Sequence, residues 1–246
     1  MIAQTFAKGP ALIAYLTLGD GGLDYSLSSA LALVEGGVDL LEIGIPFSDP
    51  VADGPIIQKA MERSLKSGTK PQDLIAFLEA FRKHSQVPIV VFSYYNPILA
   101  AGKAFLDQAH EAGANGMLIV DLPFEHMPES ALDPVLIVST STPQERVEKI
   151  VKKGRGFIYY ACQKGTTGMR GGLPSYSFED IARIKQSTQL PVAIGFGISN
   201  KQTAEEALKS ADGVIVGSYF VEAMGRKASP KEIVELVKNI DPRRPL

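Results

Sequence analysis

With a single cysteine in 246 residues, Cys162, the chain has no route to an intramolecular disulfide or a multi-cysteine metal site. That fits a reducing compartment. Histidine is almost as scarce: His84, His110 and His126 lie far apart in polar segments and read as solvated side chains, not as a ligand set. There is no excess of one charge either. The formal net charge is -2, with Lys and Arg scattered, so no basic field is offered to a nucleic acid. No apolar run reaches the roughly 18 residues of a membrane span. The opening MIAQTFAKGP has no apolar export core behind a basic start. A soluble, cytoplasmic protein is expected. Low-complexity tracts, domain boundaries and short solenoid repeats are also missing.

What is present is a rhythm of about 30 residues in which a short β-rich apolar run alternates with a helical pattern, the signature of successive βα units. Eight such runs are predicted: 11–17, 40–44, 89–93, 116–120, 134–138, 156–160, 191–195 and 213–216. Eight parallel strands in a chain of this length imply a single-domain (β/α)8 TIM barrel spanning residues 1–246. Helices are expected between the strands. Asp24 is placed to cap one that buries Leu27, Leu31 and Val34 and stops at Gly36 and Gly37. A second, 71–83, carries Leu74, Phe77, Leu78 and Phe81 on one face. A third, 143–152, opens with Ser/Thr caps, and 178–186 and 201–210 precede the last two strands. One unit is defective. Only LPFEHMPESALD separates Asp121 from the fifth strand, so the crossover helix after strand four is expected to be shortened or missing.

The segment LEIGIPFSDPVADGP, residues 41–55, puts Glu42 inside an apolar strand and Asp49 and Asp53 in a turn stiffened by Pro46, Pro50 and Pro55. A carboxylate in an apolar strand is costly unless it is paired, protonated or useful. Ion pairing would explain Glu42 alone, and turn formation would explain either aspartate alone. Their conjunction at one strand end points to a catalytic site.

A second cluster is built from glycines at strand ends: Gly165 and Gly168 in GTTGMRGG, Gly195 and Gly197 in GFGIS, Gly217 with Ser218 in VGS. Glycine lets backbone N–H groups approach an anion, and a short helix after the eighth strand would add its positive end. Barrels often seat phosphate there. The Gly-rich stretch 163–175 is long enough to serve as either a lid or a connector.

These motifs resemble the tryptophan synthase α chain. LEIGIPFSDPVADGP is similar to that family's signature, and YLTLGD (15–20), SYYNPI (93–98), VDLP (120–123), Ser141-Thr142-Pro143, GFIYY (156–160), GFGIS and VGS follow in the family's order. The resemblance implies metal-free and cofactor-free retro-aldol cleavage of indole-3-glycerol phosphate to indole and glyceraldehyde 3-phosphate. It implies Glu42 as general acid/base and Asp53 as partner of the indole N–H. It implies Tyr15, Ile57, Tyr159 and Phe196 as walls of the indole slot, and Gly168, Gly197, Gly217 and Ser218 as the phosphate cradle. It further implies a tryptophan synthase β chain as partner in an α2β2 complex, with pyridoxal phosphate held by the β chain alone. The contact surfaces expected are residues 46–58 and the loop after Tyr94, and either Tyr94 or Tyr95 faces the site. Three features depart from the family: Cys162-Gln163 where Ser-Arg is usual, the short segment 122–133, and a short N-terminus that trims the leading helix. The Gln163 substitution motivates an alternative, a catalytically weakened α chain acting mainly as an activator of its partner. A third possibility is another phosphate-binding barrel such as indoleglycerol phosphate synthase. A strand lysine would mark that enzyme, and no predicted strand contains one.

Overall fold

The computed structural model describes residues 2–162, 178–195 and 197–243. In chain order the elements are α1 (Ile2–Phe6), β1 (Ala11–Thr17), α2 (Leu23–Gly36), β2 (Leu40–Gly44), α3 (Pro55–Lys66), α4 (Asp73–Arg82), β3 (Ile89–Ser93), α5 (Tyr95–Ala101), α6 (Phe105–Glu111) and β4 (Gly116–Ile119). There follow a 3₁₀ turn (Phe124–His126), β5 (Asp133–Pro134), β6 (Leu136–Ser139), α7 (Gln144–Lys153), β7 (Ile158–Ala161), α8 (Phe178–Ser187), β8 (Val192–Gly195), α9 (Lys201–Ala207), β9 (Gly213–Val216), α10 (Ser218–Gly225) and α11 (Pro230–Ile240).

All strand pairings are parallel, and the sheet runs β5-β4-β3-β2-β1-β9-β8-β7-β6. Its two ends, β5 and β6, are consecutive pieces of one extended segment interrupted at Val135. The Val135 N–H donates to the Met117 carbonyl at 2.9 Å, and β6 pairs with β7, so this segment closes the ring. The expected eight-stranded barrel is therefore what the chain forms, with its fifth strand split. The sixth strand starts at Ile158, not Gly156, because Gly156 has φ +73° and the Phe157 N–H turns back to the Arg155 carbonyl. Such a turn cannot lie in a ladder.

Alternation along each strand divides the core into two. Leu12, Leu16, Leu41, Ile43 and Val91 face outward into the layer shared with the helices. Ala11, Ile13, Tyr15, Leu40, Val90, Phe92, Leu118, Phe157, Tyr159, Ala193 and Ile215 fill the barrel. Ile2 joins the inner set and is fully buried. Its contribution of about 2 kcal/mol explains how a one-turn helix, too short to persist alone, is held against the barrel.

Two helix starts are capped differently from expectation, and α9 ends at Ala207 where the helix was expected to reach 210. α2 is entered through Gly22 at φ 100°, with Asp24 only in its first turn, while Gly37 ends it in the left-handed region as expected. The buried side chains of α2 include Ala30 and Leu33, and Leu27, Leu31 and Val34 flank them half-buried. α7 begins after Pro143 without a side-chain cap, because Thr142 Oγ1 accepts the Ser139 N–H instead (2.9 Å). After β4 only the 3₁₀ turn replaces a crossover helix, as the short segment predicted. Two further helices, α3 and α10, are inserted after β2 and β9 ahead of the outer helices α4 and α11, and they pack on each other and on β1. They bring the ends of β1, β2 and β9 into one region. Among the described residues no helix is long and apolar enough to cross a membrane.

Candidate active site

Glu42 is the third residue of β2, in register with Tyr15 on β1 and Val90 on β3. Inward alternation puts it in the barrel, 1 % exposed, and neither carboxylate oxygen has a hydrogen-bond partner among the described residues. Burial pushes its pKa from 4.5 up to about 8. Near neutrality Glu42 is therefore mostly a neutral acid, and loss of its proton lies within reach. Among the described residues no lysine or arginine pairs with it, so ion pairing does not account for this buried glutamate.

Asp53 ends the turn before α3. Its N–H donates to the Pro50 carbonyl (3.1 Å), and Gln58 Nε2 donates to its carbonyl (2.8 Å). The Tyr94 hydroxyl donates to Asp53 Oδ2 at 2.7 Å and accepts the Ala52 N–H at 2.9 Å. The phenol is thereby fixed as a donor to the carboxylate. Burial pushes the Asp53 pKa up and the Tyr94 bond pulls it back. Tyr94, not Tyr95, is thus the tyrosine at the site: it is buried beside Phe47, whereas Tyr95 is half-buried against the outer core. The signal was available in the alternation, because Val90, Phe92 and Tyr94 share a parity. Asp49 is exposed and its carbonyl accepts the Val51 N–H, which makes it a turn former.

Tyr15 and Tyr159 fill the inner cluster. Burial raises both phenol pKa values, followed by the charge of Asp53 for Tyr15 and of Glu42 for Tyr159, so all four groups share one region. Each ring is admitted by a glycine on the next strand. A Cβ at Gly44 would overlap the Tyr15 hydroxyl, and one at Gly195 would overlap that of Tyr159. Ile57, from the first turns of α3, packs half-buried on the same cluster. A Cβ at Gly217 would lie 3.6 Å from Ile57 Cδ1 and 3.7 Å from Tyr15 Cβ, so positions 15, 57 and 217 meet.

Gly217 is the N-cap of α10 and Ser218 its first residue, exposed to solvent. The first N–H groups of a helix have no partner within it and carry the positive end of its dipole, which suits an anion. Gly197 has φ +82°, a conformation that favours glycine. Gly168, Phe196, Gln163 and the Gly-rich stretch 163–175 lie outside the described residues. Cys162 is buried at the end of β7, its Sγ donates to the Gly195 carbonyl, and burial pushes its thiol up to about 11, which marks it as unreactive packing. The three histidines are exposed, and no cluster of metal-ligating side chains occurs among the described residues.

The family model for the tryptophan synthase alpha chain matches residues 2–241. A tryptophan synthase alpha chain of Coxiella burnetii is 47% identical over 99% of this chain and 98% of its own length. One from Chlamydia caviae is 46% identical over 99% of each chain. A chain in the structure of the tryptophan synthase a2b2 complex of Pyrococcus furiosus superposes with a TM-score of 0.87 at 37% identity, covering 94% of this chain and 98% of that one. The chain belongs to the tryptophan synthase alpha chain family.

Proposed function

Starting from membership of that family, we propose that Glu42 and Asp53 carry out the family's reaction from opposite sides of a bound indole. The chain is a lyase of tryptophan biosynthesis that cleaves indole-3-glycerol phosphate to indole and glyceraldehyde 3-phosphate. It works as the α subunit of an α2β2 complex; the α reaction needs no cofactor, and pyridoxal phosphate belongs to the β chain. We place it in the cytoplasm, in keeping with its biosynthetic role.

Cleavage requires a proton on indole C3, rupture of the bond from C3 to the glycerol chain, and removal of the proton from the hydroxyl on the carbon that becomes the aldehyde. A neutral Glu42 gives its proton to C3. The ring then carries a positive charge delocalised to its nitrogen, and Asp53, accepting the N–H, stabilises that charge. As the bond breaks its electrons return to the ring, the hydroxyl oxygen becomes the aldehyde oxygen, and its proton passes to the Glu42 carboxylate. Glu42 ends as it began. A pKa near 8 suits a group that must act first as acid and then as base. Tyr15, Tyr159, Ile57 and Phe196 would flank the flat ring, and the α10 N-terminus with Gly217 and Ser218, joined by Gly168 and Gly197, would hold the phosphate.

Val51, 84% exposed after β2, and Leu99, 57% exposed in α5 after β3, offer apolar contact to the β chain. The observation that carries the catalytic reading is a buried carboxyl with no partner among the described residues. It also weighs against an α chain that only activates its partner, since such a chain would gain nothing from that cost. The test is indole release from indole-3-glycerol phosphate with and without a β chain. Glu42→Gln is expected to lose at least about a thousand-fold in kcat while keeping affinity for glycerol 3-phosphate. Near-normal turnover would remove Glu42 from the chemistry.

A further inference from the structure

The substrate's two recognised ends would be held by different inserted helices, α3 behind Asp53 and Ile57, and α10 at the phosphate. Their separation has to match the length of the ligand. Both helices are tied to one short loop after β1. Ser64 Oγ on α3 donates to the Leu18 carbonyl (2.5 Å), and Ser67 Oγ, which donates to the Ser64 carbonyl at 2.7 Å, lies 3.3 Å from the Gly19 carbonyl. Lys227, just beyond α10 and in the left-handed region at φ 60°, donates to the Gly21 carbonyl (2.7 Å). Between these anchors sits Arg63. Its Nε and one terminal nitrogen donate to the two oxygens of Asp20 at 2.8 and 2.7 Å, and Asp20 is 5% exposed. The same guanidinium lies against Gly225, the last residue of α10, where a Cβ would come within 2.8 Å of it. A cation there faces the negative end of the α10 dipole.

We propose that Arg63, forked onto Asp20 and seated beside Gly225, is a positioning residue that sets the span between the indole end and the phosphate end of the site. The proposal rests on the reading of α10 as the phosphate end. Neither Arg63 nor Asp20 touches substrate. They act through the relative placement of two helices, where an error of about 1 Å can cost up to a hundred-fold in rate. A two-ended ligand senses such an error, whereas a one-ended ligand does not.

The experiment titrates the full chain with glycerol 3-phosphate and with an indole joined to phosphate through a saturated three-carbon chain, which spans both ends without being cleaved. The variants are Arg63→Lys, which keeps the charge but loses the fork, and Gly225→Ala, which crowds the guanidinium while leaving Asp20 paired and the fold intact. Each is expected to weaken the spanning ligand about ten-fold and glycerol 3-phosphate less than about two-fold. KM for the substrate should rise and kcat fall. Equal losses for both ligands, or none, would make Arg63 a merely structural residue and overturn the proposal. Failure of the wild-type chain to bind glycerol 3-phosphate would overturn α10 as the phosphate end of the site, and with it the role of Arg63.

Discussion

The two ends of this barrel treat polar side chains withdrawn from solvent in opposite ways. At the end where the strands begin, Asp39, Asn115 and Asp212 each stand immediately before a strand and accept the N–H of a residue near the start of the neighbouring one: Leu12, Ile89 and Val192, at 2.8, 2.9 and 2.9 Å. Each is also met by a cation, Arg243 on Asp39, Arg82 on Asn115 and Lys185 on Asp212. At the other end Glu42 is buried with neither oxygen bonded among the described residues. Chemically similar side chains therefore stitch one end, while at the other Glu42 is left unbonded among the described residues. What separates the roles is whether their lone pairs are accounted for.

The largest expected effect that would break this comparison concerns pH. The Glu42 pKa is raised on folding from 4.5 to about 8, so between those values the folded chain binds a proton that the unfolded chain has lost. Its contribution is therefore fully present below the unfolded value and is lost as pH rises through the folded one. Relative to Glu42→Gln, the wild-type chain should lose roughly 2 to 3 kcal/mol of unfolding free energy between pH 6 and pH 9, read from denaturant titrations. A constant difference would mean that Glu42 is as well solvated as a surface carboxylate.

Next in size is Asp212→Ala at the stitched end. It strands the Val192 N–H and frees Lys185, and should cost about 1 to 3 kcal/mol of stability, seen as a lower Tm, with kcat/KM per folded molecule unchanged. A kinetic defect at full folding would blur the division between the ends. Smallest is Tyr94→Phe, which sharpens the catalytic side by removing the donor to Asp53 and the acceptor of the Ala52 N–H. A loss of about ten-fold in kcat/KM, or 1.4 kcal/mol, is expected, without the near-total loss expected at Glu42. Unchanged kinetics would show that Asp53 needs no orienting hydroxyl.

Most of the fold was legible because a fully buried parallel strand is a short apolar run, and such runs stand out between polar helical faces. α3 did not stand out. Its buried residues are Ala60, Met61 and Ser64, two of them small, so its inward face carries little apolar signal and 46–58 reads as a loop. α1 is a single turn whose place depends on Ile2 meeting the barrel, a tertiary fact absent from local sequence. The entry to α2 misled for a different reason: Gly21 and Gly22 hold φ +89° and +100°, and Asp24 falls inside the helix they start. At the site, Glu42 and Asp53 were visible as charges in apolar or proline-rich surroundings. Arg63 and Asp20 were not, because they lie 43 positions apart and only folding brings them together.

Glu42 should hold its proton at neutral pH inside the folded barrel. Its side-chain carboxyl carbon can be followed by NMR on ¹³C-glutamate-labelled protein across pH, with Glu42→Gln assigning the resonance. A midpoint near 8 is expected; a midpoint in the ordinary carboxylate range near 4.5 would show that Glu42 is ionised at neutral pH and is no proton donor there.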